Sequence, residues 1–430
     1  MTDHLTSGGP SGNDPGAAGG RAGGSWAIAL AGMVSLAVAM GIGRFAFTPL
    51  LPMMLDERVI DLPSASWLAS ANYLAYMLGA MLCTLQPWIW SRFRGLPAIG
   101  YATLVRAGLV ATSLLTLAMA AHLPAVWPTL RFGAGIATAV VFVFTSSWCL
   151  ARLGRIGAPE LGGVIYAGPG IGIVVSGLFG SGFAAMQWGS AAGWLILGLL
   201  AAALTASVWR VFQGREERLV ALHRSAFANG RRADNAAVGG RGEKSLFALG
   251  YGMQGFGYII TATFLPVIAA EALPGSAWLD LFWPLFGCGA VAGALLATRF
   301  PVNGDRRYLM AGAHVVQALG IAVGIWRPSL AGFAIGSFLV GLPFTALTLF
   351  AMQEARRLQP GAAASFIGLI TVAYGIGQIL GPPLVAVLLG FSATRGEGFS
   401  MSLQVAAAAL LFGAALYLWT IRAYPIARSA

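Results

Sequence analysis

The chain has 430 residues, of which 57% are hydrophobic and only 10% are charged, and its mean hydropathy is +0.76. Soluble globular domains are about half apolar and about a quarter charged, so this composition excludes an ordinary soluble protein and is typical of a polytopic membrane protein. The net charge of +11 comes from basic residues scattered between apolar runs, which argues against nucleic acid as a partner.

The first segment, residues 1–24, is rich in glycine, proline and serine and has few large apolar side chains. Such a segment cannot bury enough surface to fold, so we predict a disordered cytoplasmic tail. The apolar run that follows from Trp26 is too long for the core of a secretory signal peptide. It is instead the first of a series of apolar runs.

These runs have about 18–25 residues each, the length that a helix needs to cross a bilayer. We predict twelve spans near residues 26–53, 66–88, 97–120, 125–150, 160–185, 191–212, 245–269, 278–298, 307–326, 329–351, 364–389 and 399–421. The longest polar segment, residues 213–244, divides them six and six. The sequence therefore predicts an all-α polytopic membrane protein with six-helix bundles at 25–212 and 245–423, a cytoplasmic linker at 213–244 and a cytoplasmic tail at 424–430.

Arginine and lysine residues indicate the orientation, because they concentrate in cytoplasmic loops. If the first tail is cytoplasmic, 20 of the 26 basic residues fall in inner loops and tails, three lie in outer loops and three lie inside spans. We therefore expect both termini on the cytoplasmic side of a plasma membrane, the inner membrane in a bacterium. The three basic residues inside spans are Arg44, Arg106 and Arg131.

A repeated stretch links the two halves. GIGRFAFTPLLP at 41–52 aligns with GFGYIITATFLP at 255–266 after a shift of 214 residues, so that Arg44 corresponds to Tyr258. A weaker sequence similarity links residues 163–172 with residues 368–377. The first copy also fits the glycine pattern of dinucleotide-binding sites, but that pattern needs a preceding strand, whereas here it lies inside a span. The glycines therefore indicate close helix packing.

Several motifs resemble those of the major facilitator superfamily. The stretch RFGAG from Arg131 to Gly135 resembles its Arg-x-x-x-Gly motif, and YAGPGIG at 166–172 partly resembles its Gly-Pro helix motif. The basic loops at 91–97 and 298–309 lie where the superfamily has a basic loop, although both depart from its Gly-x-x-x-Asp pattern. The repeated stretch at 41–52 and 255–266 resembles sequences of the YbfB/YjiJ-type branch of this superfamily. The resemblance implies a secondary active transporter that works by alternating access, with spans 1, 4, 7 and 10 lining a central cavity.

Ionisable residues inside spans are functional candidates, because a buried charge is costly in a bilayer. We predict that Arg44 and Arg131 bind a small organic solute that is anionic or bears a carboxylate, which a guanidinium group matches well. A structural role, bonded to neighbouring helices, is the alternative for Arg131. Helical spacing adds seven polar candidates, each with the alternative of joining helices: Asn72, Tyr76, Gln254, Tyr258, Thr261, Tyr374 and Gln378. We predict solute binding for all of these except Tyr76 and Thr261.

A second set of candidates serves helix packing or gating. It comprises Gly41, Gly43, Gly135, Gly168, Pro169, Gly255 and Gly257. No acidic residue is evident at mid-membrane, since Glu354 falls near a span end. Whether transport is coupled to a proton therefore stays open. The three cysteines and four histidines show no ligand or catalytic spacing. We therefore expect no enzyme activity, metal or cofactor, and a monomer whose partners are the bilayer and the solute. Alternatives are a multidrug or sugar efflux permease and a non-transporting membrane sensor.

Overall fold

The computed structural model describes residues 15–92, 99–121, 123–212, 240–276, 278–299, 305–359 and 363–426. Within these ranges there is no β-strand, and twelve helices are long and apolar enough to cross a membrane. The predicted all-α polytopic membrane fold with twelve spans is confirmed. We number the spans in chain order, and we call the side on which odd-numbered spans begin the amino-terminal face and the other side the opposite face.

The bounds of the spans lie close to the predicted ones. Spans 1 to 6 cover Gly24–Asp56, Leu62–Gln86, Tyr101–Ala121, Pro124–Arg155, Gly162–Ala185 and Ser190–Val208. Spans 7 to 12 cover Arg241–Ala272, Leu279–Ala297, Arg306–Trp326, Leu330–Leu358, Phe366–Phe391 and Arg395–Ala423. The agreement has a physical reason, because the apolar length that marks a run in the sequence is also the length that must be removed from water.

The ends of the predicted segments differ in two places. The first helix begins at Pro15, inside the segment predicted as a disordered tail, and proline suits the first turn of a helix. The helix of span 7 begins at Arg241, inside the predicted linker. The described residues do not include 1–14, 93–98, 213–239, 300–304 and 427–430. Most of the predicted linker and parts of both tails and both basic loops therefore lie outside the described residues.

Span 1 is not a continuous α-helix. Its α-helical part ends at Leu36, a π-helical segment covers Ala37–Arg44, and a second α-helix covers Phe47–Asp56. Every residue of the π-helical segment is buried. Such segments are rare and are frequent at functional sites, so this irregularity marks the region that holds Arg44.

Glycines allow the helices around this segment to pack closely. A Cβ atom on Gly41 would lie 2.2 Å from the Cα atom of Gly172 in span 5, and one on Gly168 would lie 2.2 Å from the carbonyl oxygen of Met33. In the second bundle, a Cβ atom on Gly255 would lie 2.3 Å from the carbonyl oxygen of Tyr374 in span 11. Backbones can approach this closely only where no side chain intervenes.

Hydrogen bonds join the two bundles near the opposite face, and we call this set the latch. It consists of Thr48 Oγ1 to Ala262 O at 2.8 Å, Tyr73 Oη with Thr263 Oγ1 at 2.8 Å, Ser70 Oγ to Ile379 O at 3.1 Å and Ser181 Oγ to Asp280 O at 3.0 Å. These contacts close the space between the bundles on that side.

A buried charge cluster ties together span ends at the amino-terminal face. Arg307 of span 9 pairs with Asp305 at 2.8 Å and with Glu243 of span 7 at 3.0 Å. Glu243 also pairs with Arg357 of span 10 at 3.0 Å, and Arg357 pairs with Glu354 at 2.6 Å. Glu354 is near the end of its span, as expected, but its side chain is fully buried, because Arg357 compensates its charge.

Asp305 lies just before span 9 and caps its helix. Burial raises the pKa of this carboxyl group, but the hydrogen bonds and the charge of Arg307 outweigh burial and hold the pKa below its ordinary value. Asp305 therefore contributes to stability as a carboxylate.

Candidate functional site

A small cavity lies between the two bundles. Its lining consists of Met40, Arg44, Tyr76, Phe142, Tyr166 and Pro169 from the first bundle and Tyr251, Tyr258, Phe344, Thr345, Thr348, Met352, Thr371, Tyr374 and Gln378 from the second. The cavity has a volume of about 60 Å³, and one water molecule needs roughly 10–15 Å³ on the same scale. The cavity therefore has room for a few water molecules but not for an organic solute, so solute binding requires the bundles to separate.

Aromatic rings dominate the wall. The ring of Tyr374 stacks on that of Tyr251 with centroids 4.8 Å apart and an interplanar angle of 25°, and on that of Tyr258 at 5.8 Å and 20°. The ring of Tyr258 also contacts Phe344 at 5.0 Å. Stacked rings offer flat apolar faces with polar edges, and such a wall suits a planar apolar group. None of the lining residues carries a carboxylate.

Arg44 places a positive charge in this wall. Its side chain is 1% exposed, and its Nη2 atom donates a hydrogen bond of 2.6 Å to Oε1 of Gln378 in the other bundle. Its Cζ atom lies 3.9 Å from the ring centroid of Tyr76 and 4.9 Å from that of Tyr73, close enough for cation–π attraction. Nε2 of Gln378 in turn donates to the hydroxyl group of Tyr258, so these contacts link the two bundles.

The remaining donors of Arg44 are unused. Its Nε and Nη1 atoms are buried and have no hydrogen-bond partner among the described residues, and none of the ion pairs in that part of the chain involves Arg44. A buried donor without a partner costs about 1–3 kcal/mol, and more when it is charged. The site therefore has both the unused donors and the uncompensated charge that an anion would satisfy.

Arg131 has a different environment and does not line the cavity. It is 2% exposed, and its Nη1 and Nη2 atoms donate to the carbonyl oxygens of Gly43 at 3.2 Å and of Arg44 at 3.1 Å. These carbonyl groups lie at the end of the π-helical segment, where helical partners are lost. The contacts fit the structural alternative, in which Arg131 holds the backbone that carries Arg44.

Asn72 and Gln254 also lie outside the cavity lining. Nδ2 of Asn72 donates to the carbonyl oxygen of Arg131 at 2.8 Å, which joins span 2 to span 4. Gln254 is fully buried, and its amide group has no partner among the described residues. Helical spacing identified the face of each residue but not the neighbour that the face meets. Four of the seven side chains predicted to bind the solute therefore line the cavity: Arg44, Tyr258, Tyr374 and Gln378.

The predicted packing residues are in tight surroundings. A Cβ atom on Gly43 would lie 2.4 Å from Cγ2 of Thr112, one on Gly257 would lie 2.4 Å from Cγ of Leu410, and one on Gly135 would lie 2.4 Å from the carbonyl oxygen of Asn72. Pro169 lines the cavity itself.

Sequence reasoning missed most of the other polar lining residues. Tyr76 was a candidate by spacing, and the residues that were missed are Tyr166, Tyr251, Thr345, Thr348 and Thr371. The available signal was a hydroxyl group inside an apolar span, but many serines and threonines in this chain give the same signal and bond to their own helix. The lining comes from several spans, and only the fold brings those spans together.

The fold is similar to that of the nucleoside transporter NupG, with a TM-score of 0.64 and 14% identity over 93% of this chain and 99% of that chain. A variant of NupG with one substitution gives a TM-score of 0.64 and 15% identity over 91% and 99% of the two chains. At this identity the likeness shows the fold alone. A comparison with curated proteins found no match. A family model described as "Uncharacterised MFS-type transporter YbfB" matches residues 36–418, and because it spans most of the chain, the protein belongs to this family of major facilitator transporters.

Proposed function

We propose that the protein is a secondary active transporter of a small anionic organic solute, and that Arg44 binds the negative group. The observation that carries this proposal is that two buried donors of a cavity-lining residue, Nε and Nη1 of Arg44, have no partner in the part of the chain that the structure describes. The two donors lie on different edges of the guanidinium group, so each can donate a separate hydrogen bond to an oxygen of an anionic solute.

The composition of the wall supports an anion over a cation. A binding site for an organic cation would be expected to provide a carboxylate, because a buried charge needs a partner. The lining has one arginine and no carboxylate. Arg131 adds positive potential from behind the wall, where it bonds to the carbonyl oxygens of Gly43 and Arg44.

The aromatic wall narrows the class of solute. Tyr251, Tyr258 and Tyr374 form a continuous stack that would pack against a planar ring, while Gln378 and Thr348 supply neutral polar contacts. An aromatic or heteroaromatic carboxylate uses both the ring stack and the guanidinium group. The second candidate is a neutral planar solute such as a nucleoside, which the same wall would accept and which NupG, by its name, transports.

The proposed cycle is alternating access about the cavity. The latch holds the bundles together at the opposite face, and the cavity would open to the amino-terminal face when the bundles part on that side. The asymmetry of basic residues favours an amino-terminal face in the cytoplasm of the plasma membrane, the inner membrane in a bacterium. The arrangement described here then corresponds to a contracted state that is closed to the outside, and a single chain contains the whole cavity.

The test is ligand-induced thermal stabilisation of the purified protein with a panel of aromatic carboxylates, aliphatic carboxylates, nucleosides, sugars and amines. We expect aromatic carboxylates to stabilise the wild type most. Arg44→Lys keeps the charge but loses the separate planar donors of the guanidinium group, so the shift should be reduced. Arg44→Gln should abolish the shift while the unliganded variant melts at the same temperature or higher, because an uncompensated buried charge has been removed.

Arg106→Gln is the matched control. Arg106 is a second arginine inside a span, but it lies against Trp209, to whose carbonyl oxygen it donates at 3.0 Å, and it does not line the cavity. Its substitution should leave the ligand shift unchanged. An amine as the best ligand, or an undiminished carboxylate shift in Arg44→Gln, would reject the proposed role of Arg44. A nucleoside that stabilises wild type and Arg44→Gln equally would favour the second candidate.

A further inference from the structure

His314 is a buried titratable residue that the proposed transport site does not use. It lies in span 9, is fully buried and does not line the cavity. Its Nδ1 atom lies 2.8 Å from the carbonyl oxygen of Met310 in the same helix, and its Nε2 atom lies 3.1 Å from the carbonyl oxygen of Gly250 in span 7. Both ring nitrogens thus face backbone carbonyl groups, which only accept hydrogen bonds.

This geometry distinguishes the two protonation states of the ring. A neutral imidazole has one N–H group, so it can satisfy only one of the two carbonyl groups and must direct a lone pair at the other. An imidazolium has two N–H groups and can satisfy both. Taking up one proton from water therefore adds one hydrogen bond, and no other bond of the protein has to change.

The groups around His314 leave the ring electrostatically isolated. The ring of Tyr417 in span 12 packs edge-on against it at 5.3 Å. Spans 7, 10 and 12 pack against span 9. Their titratable side chains are Arg241, Glu243, Lys244, Tyr251, Tyr258, Glu271, Glu354, Arg356, Arg357, Arg395, Glu397, Tyr417 and Arg422, and span 9 itself carries Arg306, Arg307 and Tyr308. The hydrogen bonds of the imidazole go to the carbonyl groups of Met310 and Gly250 and to none of these side chains.

We propose that His314 is a proton-binding site, and that its protonation holds span 7 against span 9. The acceptor on span 7, Gly250, directly precedes Tyr251, which lines the cavity and stacks on Tyr374. An imidazolium without a counter-ion is costly to bury, so the proton is retained only while both carbonyl groups are within reach. Movement of span 7 away from span 9 would release the proton to water, which couples proton binding to the shape of the cavity.

Proton binding itself is tested by ¹⁵N NMR of the full-length protein with labelled histidines. Spectra are compared with those of His314→Gln between about pH 4 and about pH 8, a range that extends below that of an ordinary histidine because a buried imidazolium is costly. We expect the signal that is lost in the variant to show two protonated ring nitrogens at the acid end. A bare nitrogen at every pH in this range would overturn the proposal.

The coupling to the cavity is tested by thiol labelling. Thr348→Cys, which places a thiol in the cavity wall, is made in a chain in which Cys83, Cys149 and Cys288 are replaced by serine. The labelling rate is measured at about pH 5 and about pH 8 in this chain and in the same chain with His314→Gln. The second chain is the control, because its rates show the pH dependence of the labelling reaction without His314. We expect labelling at acid pH to be slower by about tenfold only when His314 is present, the effect that one charged hydrogen bond corresponds to.

Equal rate ratios in the two chains would overturn the coupling. Only the link between proton binding at His314 and transport rests on the function proposed above. Neither experiment uses a solute or alters Arg44, so a wrong assignment of the anion site would appear in the ligand panel and would leave both of these results unchanged.

Discussion

The hydroxyl group of Thr48 donates a hydrogen bond of 2.8 Å to the carbonyl oxygen of Ala262, 214 residues along the chain. The two residues occupy the same position in the two sequence repeats. Equivalent positions can touch only near the axis that relates the repeats, so this axis passes between spans 1 and 7 in the latch. The second repeat has alanine in place of threonine, and the bond is therefore made once instead of twice.

This bond should help to keep the opposite face closed. Thr48→Val keeps the shape of the side chain but removes the donor, at a cost of about 1 kcal/mol, or about fivefold in an equilibrium. We expect a cysteine that replaces Met40 in the cavity wall to be labelled faster from the opposite face, by about that factor. Thr48→Ser retains the hydroxyl group and should label at the wild-type rate. Equal rates for the valine and serine variants would exclude a closing role for this bond.

Arg131 should behave as a positioning residue. Arg131→Met removes the donors to the carbonyl groups of Gly43 and Arg44, and each buried carbonyl group left unpaired costs about 1–3 kcal/mol. We expect a clear fall in the melting temperature and partial recovery in Arg131→Lys, whereas Arg44→Gln should not be destabilised. If Arg131→Met instead melted like the wild type but lost the ligand shift, Arg131 would be a solute-binding residue.

Two glycines should not tolerate even a methyl group. Gly41→Ala and Gly255→Ala would place Cβ atoms 2.2 Å and 2.3 Å from backbone atoms of spans 5 and 11, and backbone cannot move aside as a flexible side chain can. We expect reduced stability and reduced transport in both variants. Gly312→Ala is the control, because no atom of the described residues lies within 4 Å of its Cβ position and alanine favours a helix. Losses of equal size in the three variants would show that close approach is not the cause.

The charge cluster should make stability depend on pH through Asp305. Its pKa is lower in the folded state, so its contribution is complete above the ordinary carboxyl pKa of about 3.9 and is lost as the pH falls through the folded value. Asp305→Asn should lower the stability at neutral pH by about 1–3 kcal/mol, since Arg307 loses a charged partner. Thermal unfolding across the acid range should show the two proteins converging as the pH falls. A constant difference would assign the effect to packing.

The proposed orientation can be tested by labelling of single cysteines. Ser225, in the predicted linker, and Gly396, at the start of span 12 on the opposite face, are each replaced by cysteine in the chain without native cysteines. An impermeant thiol reagent added to intact cells should label position 396 and leave position 225 unlabelled until the membrane is permeabilised. Labelling of position 225 from outside would reverse the topology.

The spans could be predicted because one physical quantity, apolar length, defines them both in the sequence and in the bilayer. The same logic identified Arg44, since a charge within such a run is evident without any knowledge of neighbours. The π-helical segment was not predictable in this way. No proline lies within Ala37–Arg44, and the carbonyl groups at the end of this segment bond to Arg131, which is 87 residues away from Arg44.

The polar lining shows the same limit. Tyr258 and Gln378 were predicted from spacing and lie together, but Asn72 and Gln254 had equally good spacing and lie outside the cavity. A helical period gives the angle between side chains on one helix. It does not give the rotation of that helix relative to the centre of the bundle, which is set by contacts such as that of Gly255 with Tyr374.

The small volume of the cavity has a consequence for affinity. A solute can bind only to the fraction of molecules in which the bundles have separated, so the apparent dissociation constant is the intrinsic constant divided by that fraction. If about one molecule in a hundred is open, a solute with micromolar intrinsic affinity would bind with an apparent constant of about a tenth of a millimolar. Substitutions far from Arg44 that favour the open form would then tighten binding without a new contact, and weak hits in a screen would underestimate how well the site fits its solute.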